Sequence, residues 1–145
     1  MEKTEELENA ITNALLFETS CPVPWTKFSG YCLIAQTKTK MTVFDAEFWC
    51  NARGGFVVYF LNKEEHDKIN EFARLRFNVE WYHIGLRRAK PGSELEWSSG
   101  QPTGYLTTAS VASKNRQVFA SRLKNRNIEG SRNTYVQYFI CRRPN

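Results

Sequence analysis

Four cysteines and two histidines bound the chemistry open to this 145-residue chain. Cys21 and Cys32 bracket a short alternating stretch, Cys50 and Cys141 stand far apart, and neither a Cys-x-x-Cys pair nor a Cys/His cluster occurs, so no zinc site is expected. An even count at these spacings reads as two disulfides and hence as an oxidising compartment, the alternative being four buried thiols in a cytosolic protein. His66 sits among Glu64, Glu65 and Asp67 and reads as part of a solvated helix face, while His83, next to Ile84, reads as a satisfied core or edge histidine. Hydrolysis needs a nucleophile beside a base, or paired carboxylates in a cleft, and neither pattern is evident. The chain is therefore not expected to be an enzyme, and no cofactor or metal is expected.

Cations are what the sequence does supply. Arg87, Arg88, Lys90, Lys114, Arg116, Arg122, Lys124, Arg126 and Arg132 face only Glu94, Glu96 and Glu129 in the same half of the chain, within a net charge of +5. Should they converge, they would attract sulfated glycans, anionic lipid or acidic protein surfaces; the plain alternative is a solvated surface. Nucleic acid is not expected, because no aromatic-basic recognition motif appears and the cysteines point outside the cell.

The elements that position these residues turn on Trp81 to Pro102. Trp81 to Leu86 and Glu94 to Trp97 alternate large apolar with smaller or polar residues around a Gly/Pro turn, so a hairpin is expected that offers Ile84, Leu86, Leu95 and Trp97 to a core. From Ser98 to Ala112 the chain is almost all Ser, Thr, Gly, Ala, Gln and Pro around Tyr105, Leu106 and Val111, and a polar stretch of that length in a compact domain is usually functional or mobile. Upstream, Cys21 to Leu33 reads as a short hairpin. Thr42 can cap a helix through Cys50 that turns Phe44 and Phe48 inward, with Gly54-Gly55 ending it. Phe56 to Phe60 reads as a strand, and Asn62 caps a second helix with Ile69, Phe72 and Leu75 on one face. Val118 to Leu123 and Tyr135 to Cys141 read as further strands. Strand, two helices, then several strands make an α+β domain.

Residues 1–20 form a separate piece, with five glutamates and one lysine, and residues 21–145 form the domain. Leu7, Ile11, Ala14 and Leu15 share a helical face, too short for a coiled coil by itself. Residues 5–16 are thus either a neck that joins copies of the chain into a homo-oligomer or a helix that docks on its own domain or frays. The composition, 41% hydrophobic and 14% aromatic, allows a real core. No apolar run approaches the ~20 residues that span a bilayer, and the start is too acidic for a secretory signal. With the cysteines, this points to a secreted protein or a membrane protein's ectodomain whose leader or anchor is not part of this stretch.

Taken together, these pieces resemble the C-type lectin-like domain: Cys21-Pro-x-x-Trp25-x-x-Phe28-x-Gly30-Tyr31-Cys32, Asp45-Ala46-Glu47 leading to Cys50, Gly54-Gly55, Asn62-x-Glu64-Glu65, Ile84-Gly85-Leu86, Trp97-Ser98-Ser99-Gly100-Gln101-Pro102 and Tyr138-Phe139-Ile140-Cys141. The resemblance implies two helices with small antiparallel sheets and a long loop, stapled by Cys21–Cys32 and Cys50–Cys141 in the family's longer form. It also implies that Ser98 to Asn127 lies in and around the long loop, where sugar-binding members hold calcium. Two features depart from that pattern. The second core disulfide, whose cysteines would fall near Val118 and Asn133, is missing. The sugar-site triplet reads Gln101-Pro102-Thr103, the Trp-Asn-Asp motif reads Ile128-Glu129-Gly130, and no acid lies between Trp97 and Ile128, whereas calcium takes ~6 to 8 oxygen ligands with carboxylates among them.

The expectation is an extracellular, calcium-independent recognition module that binds a protein receptor or ligand, or a polyanionic glycan, through the long-loop face. Gln101, Thr103, Tyr105, Lys114, Arg116, Arg122, Lys124 and Arg126 are its candidate contacts, and Tyr82 and Leu106 are further candidate anchors. The alternative is a calcium-dependent carbohydrate lectin with a degenerate Gln-Pro-Thr site.

Overall fold

The computed structural model describes residues 21–106 and 115–144. The proposed helix at residues 5–16, and Lys114 with the middle of the long loop, lie outside the described residues. Among the described residues eight strands and two helices follow in the order β1 (Thr26–Lys27), β2 (Tyr31–Met41), α1 (Val43–Ala52), β3 (Phe56–Val57), α2 (Lys63–Arg74), β4 (Trp81–Arg88), β5 (Leu95–Trp97), β6 (Val118–Arg122), β7 (Ile128–Ser131) and β8 (Gln137–Pro144). The strands join along the path β1-β2-β8-β4-β6-β7, with β3 added to β8 and β5 to β4.

β8 ties the two ends of the chain together. Cys141 is opposite Ile34 of β2 on one side and Val57 of β3 on the other, while Tyr138 and Phe139 run parallel to Tyr82 and His83 of β4. Both disulfides form with the pairing the resemblance implies, Cys21–Cys32 and Cys50–Cys141, with Cα atoms 5.6 and 5.5 Å apart. The expected hairpin is β4–β5, with Leu86 opposite Trp97; Ile84, Leu86 and Trp97 are buried and Leu95 packs against them. Gly85 lets this hairpin sit on the preceding segment. Its N–H donates to the Val58 carbonyl at 2.8 Å, and a Cβ there would lie 2.6 Å from the Val57 carbonyl oxygen.

The helices depart from the sequence reading in their facing. Thr42 caps α1, its hydroxyl accepting from the Asp45 N–H at 3.3 Å. The buried residues are Val43, Ala46 and Cys50, at positions i, i+3 and i+7, so Phe44 and Phe48 fall on the far side, 57% and 78% exposed. The disulfide and the small Ala46 decide which side packs, against the size of the phenylalanines. In α2, capped by Asn62, the inward stripe is His66, Ile69, Asn70, Phe72 and Ala73. Leu75 lies nine residues beyond His66, roughly 180° around the helix, and is exposed rather than inward. His66 is correspondingly buried, not solvated. The strand expected over Phe56 to Phe60 pairs only at Phe56–Val57; Val58, Tyr59 and Phe60 continue into the core without a ladder.

An ion pair is also buried in this framework. Arg142 of β8, 4% exposed, grips the Glu65 carboxylate with two nitrogens at 2.7 and 3.1 Å and donates to the Tyr59 carbonyl at 3.0 Å. The Tyr31 and Tyr59 rings flank its guanidinium, with centroids 4.0 and 4.3 Å away. Burial, the largest single influence, would raise the Glu65 carboxyl, but the Arg142 hydrogen bonds, the Leu61 N–H and the charges of Arg142 and Lys68 together outweigh it and hold it below the ordinary carboxylate range. The contact pins the start of α2 to the last strand.

Candidate functional site

The long loop leaves the β4–β5 hairpin at Trp97 and returns as β6. Its first turn places Tyr105 and Leu106 against the core, closed by the Leu106 N–H donating to the Thr103 carbonyl at 2.9 Å. Below this turn is the N-terminal half of α2, and beside it the β6–β7 turn at residues 123–127, where Arg126 takes a left-handed φ of 62°. The three pieces enclose a cavity of about 480 Å³ lined by Lys63, His66, Asp67, Tyr105, Leu106, Asn125, Arg126, Asn127, Ile128 and Glu129.

The back wall is a chain of polar side chains leading inward. The Tyr105 hydroxyl meets His66 Nδ1 at 3.3 Å, and His66 Nε2 meets the Ser121 hydroxyl at 3.0 Å. Deeper in, the Tyr82 hydroxyl donates to Asn70 Oδ1 at 3.1 Å, and Asn70 Nδ2 donates to the Leu123 carbonyl at 3.0 Å. The His66 ring also stacks on Phe60, centroids 4.0 Å apart. Burial pushes His66 down to about 4, so it is neutral at physiological pH, and burial pushes the Tyr105 hydroxyl well up. Ser121 and His66 have the contact of a nucleophile and its base, but Ser121 is 0% exposed, so no substrate reaches its Oγ. The pair is a structural hydrogen bond.

The expected contacts are only partly gathered. Tyr105 and Arg126 line the same cavity, and Arg126 is ion-paired with Asp67 of α2. Arg122 is half-buried, paired with Glu80, with its guanidinium 5.4 Å from the Trp81 ring centroid. Lys124 lines a different hollow, with Arg74, Phe77 and Glu80. Arg116 is exposed, and its carbonyl accepts from Arg88 at 3.0 Å. Gln101 is exposed and Thr103 half-buried on the turn ahead of Tyr105. Tyr82 is 0% exposed and cannot be a surface anchor. Of the other cations, Arg87 pairs with Glu96 at 3.1 Å and Arg88 is buried against the Ser93 carbonyl at 2.8 Å. The sequence reading did not single out Lys63, Asp67, Asn125 or Asn127 for this face. The helical period of His66, Ile69, Asn70 and Ala73 was the one signal that α2 turns its first residues toward the loop.

This cavity lacks the carboxylates of a calcium site. Glu129 and Asp67 are the carboxylates lining the cavity, Asp67 is held by Arg126, and Gln101 is not part of the lining. Among the described residues no group of three or more His, Cys, Asp or Glu side chains could hold a metal ion. Two carboxylates, one of them already paired with Arg126, make a poor site for a cation that takes ~6 to 8 oxygen ligands with carboxylates among them.

A mixed sheet with two disulfides carries two helices, and the first turn of the long loop stands beside a side-chain-lined cavity. The Lectin C-type domain model matches residues 39–143, and the chain belongs to that family. Domains of this family are generally binding modules without catalysis. Among solved structures, human lithostathine is similar at 20% identity and TM-score 0.75, over 87% of this chain and 92% of that one. A calcium-independent type II antifreeze protein is similar at 19% and 0.73, over 86% and 95%. The C-type lectin domain of murine dendritic cell inhibitory receptor 2, solved in complex with N-glycan, is similar at 17% and 0.72, over 87% and 100%. At these identities the likeness is one of fold. No helix among the described residues is long and apolar enough to cross a membrane.

Proposed function

We propose that this domain is an extracellular recognition module, secreted or displayed on a membrane protein, that binds a partner protein by direct contact and without calcium. The observation that carries the reading is the cavity between the long loop, α2 and the β6–β7 turn. It presents Lys63, Glu129, Asn125, Asn127 and the Arg126–Asp67 pair around the apolar surface of Tyr105, Leu106 and Ile128. Donors, acceptors and both charge signs around an aromatic centre suit a protein surface, where aromatic anchors carry most of the affinity and the polar rim selects the partner. A polyanion site would need its cations unpaired, and Arg87, Arg122 and Arg126 are neutralised within the domain.

A second reading, binding of a polyanionic glycan, keeps one observation in its favour. Lys90, Arg116 and Lys124 are exposed and form no ion pair among the described residues. A screen against ectodomains and glycans, run with and without a calcium chelator, tests the first reading. Binding should survive the chelator and fall about tenfold or more in Arg126→Ala and Tyr105→Ala. Binding abolished by the chelator, or unchanged in both variants, overturns it. Retention on immobilised heparin above physiological salt, lost in Arg116→Ala/Lys124→Ala, would favour the glycan instead, since contacts between exposed charges are screened beyond about 8 Å at that ionic strength.

A further inference from the structure

The outer face of α1 is a second surface, remote in sequence from the long loop. Phe44 overhangs a cavity of about 130 Å³ walled by Val43, Leu86 and Val118, with Glu47, Arg87 and Gln117 at its edge. One turn on, Phe48 borders a groove of about 420 Å³ together with Met41, Trp49 and Val136. Val136 is 52% exposed beside it. Two phenylalanines are left largely in water, and contiguous apolar patches on soluble domains mark interaction sites.

We propose that residues 5–16 of this same chain dock as a helix on this face. Leu7, Ile11, Ala14 and Leu15 recur at i, i+4, i+7 and i+8, an apolar stripe with a glutamate-rich remainder. The groove supplies the matching charge: Lys40 lines it, and the Arg53 guanidinium lies 3.5 Å from the Trp49 ring centroid at the end of α1, with Asp45 the acid in the lining. Reach also fits. Cys21 is bonded to Cys32, and Trp25 packs in the cluster that holds Trp49, its ring edge against Gly55 just past α1. The chain ahead of Cys21 therefore leaves the domain near the C-terminal end of that helix. Residues 17–20 extended span ~13 Å and a helix over residues 5–16 ~18 Å, enough to run the ~15 Å length of α1. Docked this way, the segment covers Phe44 and Phe48 within one molecule.

Hydroxyl-radical footprinting of the full chain, beside a full-chain variant carrying Leu7→Asp, Ile11→Asp and Leu15→Asp, tests this. All three changes lie outside the disulfide-stapled framework. Phe48 and Phe44 should label roughly fivefold faster in the variant, the ratio between a ring 78% exposed and one in an interface core, and the difference should hold at low and high protein concentration. Equal labelling in the two proteins overturns the proposal. So does protection that appears only as concentration rises, because the cover is then a second copy. Neither result bears on the long-loop face, which is read by the ligand screen.

Discussion

Acid should destabilise this domain through two neutral histidines. His66 is 5% exposed and His83 is 0% exposed, its Nε2 2.7 Å from the Met41 carbonyl oxygen. Burial lowers both from the ordinary 6.5 to about 4. Asp67 beside His66 pulls the other way and Arg126 adds to the lowering, without overcoming burial. In the unfolded chain both rings take up a proton as pH falls through 6.5; in the folded domain neither does until about 4. The unfolded state thus binds more protons across that window, so stability is full above pH 6.5 and is lost on acidification. At 1.36 kcal/mol for each tenfold in proton affinity, each ring accounts for about 3 kcal/mol and the pair for about 6 between pH 7 and 4. Urea unfolding at a series of pH values measures this. The Glu65 carboxyl, held low by Arg142, loses stability in the same direction, and the buried Glu47 carboxyl, held high, in the opposite one. A single variant isolates one ring from these. In His66→Gln the absolute stability drops, but the slope between pH 6 and 4.5 should shrink by about 1.2 kcal/mol per pH unit. A slope unchanged from the parent refutes the assignment of a buried neutral His66.

Three further outcomes follow from the framework. Glu65→Gln strands the Arg142 charge inside the protein and should cost about 3 kcal/mol in urea unfolding, whereas Glu65→Leu/Arg142→Met should recover most of it; a double variant as weak as the single one would refute that account. Loss of Cys50–Cys141, which closes a 91-residue separation, should remove about 4 to 5 kcal/mol, seen as a lower urea-unfolding midpoint in Cys50→Ala/Cys141→Ala, which keeps Cys21–Cys32; an unchanged midpoint would refute it. Gly85→Ala drives a methyl to 2.6 Å from the Val57 carbonyl and 2.9 Å from the Ser98 hydroxyl, so the β4–β5 hairpin must lift; a loss of about 2 to 3 kcal/mol by thermal melting is expected, and a neutral result would mean that the strands part freely there.

The framework was legible in the sequence because its signals are local or covalent. Cysteine spacing, the Thr42 and Asn62 caps and the alternation through Ile84, Leu86 and Trp97 each carry their own geometry. The α1 facing was not, since Phe44 and Phe48 at i and i+4 look like a core stripe until Cys50 is bonded to Cys141 and pulls Ala46 and Val43 inward with it. Whether the loop-face cations converge was not legible for a related reason. Counting cations from Arg87 to Arg132 cannot show that Arg126 is claimed by Asp67 and Arg122 by Glu80, acids 59 and 42 residues earlier in the chain. Charge composition is a property of the segment, whereas available charge is a property of the fold.

The same distinction bears on how the loop is held. The family's second disulfide would join the start of β6 to the residues after β7, near Val118 and Asn133. Here Val118 is opposite Ser131, and the Asn133 side-chain amide donates to Gln117 Oε1 at 3.2 Å. An exposed amide pair contributes about 1 kcal/mol where a disulfide contributes ~2 to 4. The return strand of the loop is therefore clamped by the β6–β7 ladder and one hydrogen bond instead of a covalent staple. Reductant acts on the framework, through Cys21–Cys32 and Cys50–Cys141, and leaves this clamp untouched. The rigidity of the cavity rests instead on the neighbours that reach into it, the Arg126–Asp67 pair and the Tyr105–His66–Ser121 chain. These tie the loop's first turn and the β6–β7 turn to α2, and α2 is pinned in turn to β8 by Glu65 and Arg142. A continuous set of side-chain contacts thus runs from the disulfide-bonded strand to the rim of the cavity, where packing and polar pairing stand in place of a second cystine.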